Sequence, residues 1–91
     1  GEEFIVVLPG TELVNAAAVG ERIRHAIEVK PVCHGTLNIA VTASIGAAQV
    51  REDATTASEV VREADHALYE AKAAGRNRLK VASPGIPRML D

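Results

Sequence analysis

The chain has 91 residues, 10 basic and 12 acidic for a formal net charge of -2, so it holds one domain at most and lacks the basic excess of a nucleic-acid binder. Its hydrophobic fraction is 47%, but 16 of those residues are Ala, which leaves enough larger apolar side chains for one modest core and not for two. Phe4 and Tyr69 are the only aromatic residues, too few for a single-strand stacking platform. No apolar run approaches the roughly 20 residues that cross a bilayer, so no direct membrane contact is expected from this segment. The single Cys33 closes no internal disulfide, which fits a reducing, cytoplasmic compartment; a membrane tether elsewhere in the parent protein stays compatible with that.

In chain order, Gly1 is followed by two acids, Glu2 and Glu3, and then by the apolar run Phe4-Ile5-Val6-Val7-Leu8, closed by Pro9-Gly10. A β-branched run of that kind reads as a strand buried on both faces. Such a strand needs neighbours on both sides and none precedes it, so the chain is expected to be a fragment. Thr11 is the expected N-cap of a first helix, with Leu13, Ala16, Ala17, Gly20, Ile23 and Ile27 as its apolar stripe and Pro31 as its stop. From Leu37 to Ala47, Leu37, Ile39, Val41, Ala43 and Ile45 alternate with small or polar residues, the period of a strand. After a polar loop at Arg51 to Thr55, Thr56-Ala57-Ser58-Glu59 has the form of a capping box. It opens a second helix that should end at Gly75, with Tyr69 as an anchor onto the sheet. Leu79-Lys80-Val81 is a short edge strand, and residues 83–91, rich in Pro and Gly, form a tail beyond a domain spanning 1–82. The expected order is β-α-β-α-β.

Two groups of residues could carry chemistry. Glu2 and Glu3 are adjacent carboxylates, the hard oxygen ligands that Mg²⁺ prefers. Lys72 and Arg76 lie four residues apart at the end of the second helix, a spacing that brings two phosphate-binding cations to one spot. Together they are the parts of a metal-dependent phosphoryl-transfer site. Each alone has a plainer reading: terminal acids are commonly solvated, and cations at a helix C-terminus complement its dipole.

The detail of four segments decides between these readings. Gly1-Glu2-Glu3-Phe4 with Pro9-Gly10-Thr11, Gly20-Glu21-Arg22-Ile23-Arg24, Val41-Thr42-Ala43-Ser44-Ile45-Gly46, and the gapless run from Ala64 to Asn77 resemble, in order and spacing, the GGDEF-family diguanylate cyclases. The likeness begins at the second Gly of the signature loop and fades after about Val81, so the chain resembles the C-terminal half of that domain. The resemblance implies an α+β fold with helices packed on an antiparallel sheet, like nucleotidyl cyclases and polymerase palms. It implies condensation of two GTP into cyclic di-GMP and pyrophosphate by an antiparallel homodimer of domains, with Mg²⁺ or alternatively Mn²⁺. Carried over by position, Glu2 is a metal ligand that promotes 3′-hydroxyl attack, and Glu3 is the second acid, close to metal or nucleotide. Gly1 is a loop glycine beside the nucleotide, Lys72 and Arg76 hold the terminal phosphates, and Arg22 contacts cyclic di-GMP as inhibitor.

The first metal-binding Asp, the guanine-reading residues and the inhibitory Arg-x-x-Asp of the family have no counterpart in these residues, so the 91-residue piece alone is expected to be inactive. In the family sheet a further strand lies between those matching Phe4–Leu8 and Leu37–Ala47. The alternatives are a degenerate module that binds GTP or cyclic di-GMP or dimerises without catalysis, and a plain interaction domain. His25, His34 and His66 lack zinc-site spacing, and Cys33 has no basic neighbour to activate it. Asp65 is expected to pair locally on its helix, and Asn77 to cap or brace the loop after Gly75.

Overall fold

The computed structural model describes residues 3–51 and 56–82. Helix α1 spans Leu13–Glu28 and presents Leu13, Ala16, Ala17, Val19, Gly20, Arg24 and Ile27 as its half-buried face. Its cap falls one residue later than the sequence suggests. Glu12 is the N-cap and makes no side-chain cap bond, while the Thr11 hydroxyl donates instead to the Pro9 carbonyl at 3.1 Å. The exposed first-turn N–H of Leu13 is satisfied from a distance, donating to Gln49 Oε1 at 3.1 Å. The helix ends with Val29 as C-cap, two residues before Pro31, as expected.

Strands β1 (Val32–His34) and β2 (Leu37–Ile39) form an antiparallel hairpin with Val32 opposite Ile39, Cys33 opposite Asn38 and His34 opposite Leu37. Strand β3 (Ile45–Ala47), helix α2 (Ala57–Ala73) and strand β4 (Leu79–Val81) follow. Here β3 and β4 pair in parallel, Ile45 opposite Leu79 and Ala47 opposite Val81, and α2 is the crossover that a parallel pair requires. The capping box forms as read: Glu59 N donates to Thr56 Oγ1 at 3.2 Å and Thr56 N donates to Glu59 Oε1 at 3.1 Å. Both helices pack on the β3–β4 pair. Ala67 and Ala71 of α2 are the residues fully buried among those described. Gly46 makes the contact possible, because a Cβ there would collide with the Ala64 carbonyl and the Leu68 amide of α2.

The α+β class holds, and three expectations about its elements do not. Phe4–Leu8 carries no strand pairing, and Phe4, Ile5, Val6 and Val7 are 83%, 74%, 66% and 76% exposed rather than buried on both faces. The run from Leu37 to Ala47 is two strands joined by an unpaired stretch at 40–44, and it gains β1 as a partner the sequence did not announce. The described pairings are therefore one antiparallel and one parallel pair, not a single antiparallel sheet. A common physical reason covers all three. Alternation and β-branching set which residues can be strands, but a ladder forms only where a partner supplies the opposing N–H and C=O groups. Tyr69 is 70% exposed and anchors nothing to the sheet. The tail at 83–91 lies outside the described residues.

Candidate functional site

The site is built at the end of α2. Lys72 occupies the last turn, and Ala74 is the C-cap. Beyond it Gly75 N donates to the Lys72 carbonyl at 3.3 Å and Arg76 N to the Ala71 carbonyl at 2.9 Å. These are the two crossed bonds of a Schellman motif, which close the last carbonyls of the helix. The motif needs a left-handed residue, and Gly75 at φ 126° supplies it without a Cβ penalty. Unusually, the left-handed course continues through Arg76 at φ 63° and Asn77 at φ 49°. The backbone thus turns sharply away from the helix and feeds β4, with Arg76 at the outside of the turn and exposed.

Glu3 comes to meet this end. Lys72 Nζ lies 3.7 Å from Glu3 Oε2, both side chains largely open to solvent. An acid from the chain's first residues and a cation from the end of α2 therefore share one surface. The Arg76 guanidinium makes no ion pair or hydrogen bond among the described residues. Gly1 and Glu2 lie outside the described residues. Among the described residues no three His, Cys, Asp or Glu side chains cluster as a metal cage. A hard divalent cation commonly takes one or two carboxylates and completes its shell with water and substrate phosphates, and the exposed Glu3 carboxylate is a donor of that kind.

Arg22 lies elsewhere. It is exposed on α1, where it lines a shallow open depression with Ala18, Glu21, His25 and Ala26. Asp65 does not pair locally as expected; it is exposed beside Ala57, Ser58, Val61 and Arg62 and has no ion pair among the described residues. Cys33 is exposed in the hairpin, its thiol 3.0 Å from Asn38 Oδ1.

A second set of residues escaped the sequence reading. Arg24, with its side chain only 14% exposed, donates from Nε to Glu21 Oε1 at 2.8 Å and from one terminal nitrogen to Glu28 Oε1 at 3.1 Å and Asn77 Oδ1 at 2.8 Å. Asn77 Nδ2 donates to Glu28 Oε2 at 2.6 Å, and Asn77 N donates to Ser44 Oγ at 3.2 Å. Hydrogen bonds from Asn77 and then from Arg24 hold the Glu28 carboxyl below the usual carboxylate range, and the bond from Arg24 does the same for Glu21. The Arg24 guanidinium, bonded by Glu21 and Glu28, is held protonated still more firmly than usual. The spacing of Glu21, Arg24 and Glu28 as helical ion pairs was readable from sequence. The reach to Asn77 was not.

Comparison with known proteins extends this picture. The family model for the diguanylate cyclase GGDEF domain matches residues 1–78. The chain is 43% identical over 88 residues to Diguanylate cyclase A of Treponema denticola, covering 97% of this chain and 24% of that protein. It is 40% identical over 79 residues to the response regulator PleD of Caulobacter vibrioides, covering 85% of this chain and 17% of PleD. Among solved structures it resembles the diguanylate cyclase SiaD of Pseudomonas aeruginosa, determined in complex with its activator SiaC. That match has a TM-score of 0.75 and 40% identity, over 82% of this chain and 28% of SiaD. The matched part of the chain thus spans only 17% to 28% of the length of these relatives.

Proposed function

Because this chain belongs to the diguanylate cyclase GGDEF-domain family, we propose that it is part of a domain that condenses two GTP molecules into cyclic di-GMP. In that reaction each 3′-hydroxyl forms an ester bond to the α-phosphorus of the other nucleotide, the bond from α-phosphorus to the bridging oxygen breaks, and pyrophosphate leaves. The hydroxyl proton passes to a carboxylate or to water. Two nucleotides must face each other, so the working unit is an antiparallel pair of domains, each loaded with one GTP.

Lys72 and Arg76 hold the terminal phosphates and stabilise the charge that grows on departing pyrophosphate. Glu2 and Glu3 would hold the divalent ion, Mg²⁺ or Mn²⁺, with Glu2 the ligand that promotes 3′-hydroxyl attack and Glu3 the second acid beside it. Such an ion would supply charge neutralisation and would make the hydroxyl a better nucleophile. Gly1 lets the nucleotide approach the backbone of the loop. Arg22, on the separate face of α1, takes cyclic di-GMP as an inhibitor. A nucleotide that cells hold in the cytoplasm and the unpaired thiol of Cys33 support a cytoplasmic setting. Among the described residues no helix is long and apolar enough to cross a membrane. The domain runs to residue 82, and 83–91 is its tail.

The observation that carries this reading is the meeting of Glu3 with Lys72, which joins the acidic loop to the cationic helix end at 3.7 Å. The experiment is synthesis of cyclic di-GMP from GTP by the intact protein and by its Glu3→Ala variant. Product from the parent and none from a folded variant supports the assignment. Nucleotide binding without product by the parent would favour the degenerate module instead.

A further inference from the structure

The left-handed run at Gly75, Arg76 and Asn77 has no local explanation beyond its first residue. A Schellman motif asks for one left-handed position, and Gly75 fills it. Extending that conformation to a residue with a long side chain is sterically unfavourable, less so for Asn. A backbone of this kind persists only when its surroundings hold it. Here the surroundings are the bonds that converge on Asn77.

Asn77 is held at both ends. Its N–H is taken by Ser44 Oγ at 3.2 Å, and its side-chain amide sits between the Arg24 guanidinium and the Glu28 carboxylate. The orientation of that amide is unambiguous. A guanidinium only donates and an ionised carboxylate only accepts, so Oδ1 must face Arg24 and Nδ2 must face Glu28. Three small substitutes each fail at least one demand at position 77. Gly accepts the left-handed backbone and offers no amide, Asp has no donor for Glu28, and Ala supplies neither property. With Asn77 so held, Arg76 is fixed between two anchors, its own N–H on the Ala71 carbonyl and its neighbour on α1 and Ser44. Release of φ at Arg76 into the right-handed region would swing its Cβ to the other side of the chain.

We propose that Asn77, gripped by Arg24, Glu28 and Ser44, is a positioning residue that fixes the left-handed backbone of Arg76 and so aims its guanidinium at the terminal phosphates of GTP. The proposal rests on the cyclase reading above and deepens it. It couples the phosphate clamp to α1, and through Ser44 to the segment entering β3, so that the clamp is held from two elements outside α2.

The test uses the intact protein and four variants: Asn77→Gly, Arg24→Met, Glu28→Gln and Arg76→Ala. Asn77→Gly keeps the backbone conformation accessible and deletes the grip. It should weaken binding of a non-hydrolysable GTP analogue about tenfold, the loss of one charge-assisted contact, and leave GMP binding unchanged. Its KM for GTP should rise more than its kcat falls. In the Arg76→Ala background the same change should add nothing, because its effect runs through Arg76. Glu28→Gln can turn its oxygen to Nδ2 only by aiming its NH2 at Arg24, so it should weaken analogue binding, though by less than Asn77→Gly. If Asn77→Gly does not fold, Arg24→Met is read in its place with the same expectations. Equal weakening of GMP and the GTP analogue, no weakening of either, or full additivity with Arg76→Ala would overturn the positioning role while leaving the cyclase reading intact. A parent protein that neither binds GTP nor makes cyclic di-GMP would overturn that reading, and this inference with it.

Discussion

A carboxylate and an ammonium 3.7 Å apart on an open surface, as Glu3 and Lys72 are, hold each other only weakly; exposed pairs contribute about 0–1 kcal/mol. Such a pair costs little to part, so each member is free to change partner when a nucleotide and its cation arrive. Lys72→Ala should therefore leave the thermal midpoint of the intact protein almost unmoved. It should reduce kcat/KM for GTP by about 10- to 100-fold, the loss of one charge-assisted phosphate contact of about 1.5–3 kcal/mol. Melting curves and product assays on the same preparation check both halves. The network at Arg24 behaves differently, because its acids are held below the ordinary carboxylate value of 4.5. A depressed carboxyl contributes stability that is present above that value and is lost as pH falls through the lower, folded one. Arg24→Met should thus melt below the parent near neutral pH, and the gap should shrink as pH is lowered below 4.5. A gap that stays constant down to strongly acidic pH would show that the carboxylates are not what Arg24 holds.

The helices and strands raise separate questions of stability. The capping box at Thr56 and Glu59 satisfies donors that α2 would otherwise leave open, and Thr56→Ala should cost about 1 kcal/mol in chemical denaturation. Gly46 lies where β3 passes against α2, and an added methyl would strike the Ala64 carbonyl and the Leu68 amide. Backbone atoms cannot step aside as a flexible side chain can. Gly46→Ala should therefore force the helix off the strand and cost about 1–3 kcal/mol, the usual range for overpacking. Because Asn77 leads directly into β4, the same variant should also disturb GTP binding, whereas Thr56→Ala at the far end of α2 should not. Denaturation midpoints and nucleotide affinity measured together separate the two.

At the level of the whole chain, the described residues bury little. Ala67 and Ala71 are fully enclosed, while Phe4, Ile5, Val6, Val7, Val32, Leu37, Ile39 and Val41 remain exposed. Apolar segments and hairpin edges left open in this way recruit other chains. A small domain has a net stability of about 5–15 kcal/mol, and a core of alanines and half-buried residues cannot supply it. The 91-residue chain on its own should therefore associate or unfold without cooperativity, and it should make no cyclic di-GMP. Light scattering and a melting curve on the isolated chain decide this: a cooperatively unfolding monomer would show that the exposed residues find cover within the chain.

Features settled by bonds a few residues long were legible in the sequence. The capping box at Thr56, the stop before Pro31 and the end of α2 at Gly75 all form as read, because each depends on neighbours along the chain. The family was legible too, since its motifs keep their order and spacing from residue 1 to 78. Of the residues singled out for chemistry, Glu3 and Lys72 are brought together, Arg76 is exposed in the turn that follows α2, and Arg22 is exposed on α1. Tertiary structure alone decided the rest. The alternation from Leu37 to Ala47 marks possible strand throughout, but pairing exists only at its two ends. Phe4–Leu8 has the composition of a buried strand, yet it has no ladder here. Arg24 and Asn77 are 53 residues apart in the chain and 2.8 Å apart in space, a contact that no local pattern encodes. Propensity and capping act along the backbone, whereas ladders and side-chain networks need a partner that only the folded chain brings within reach.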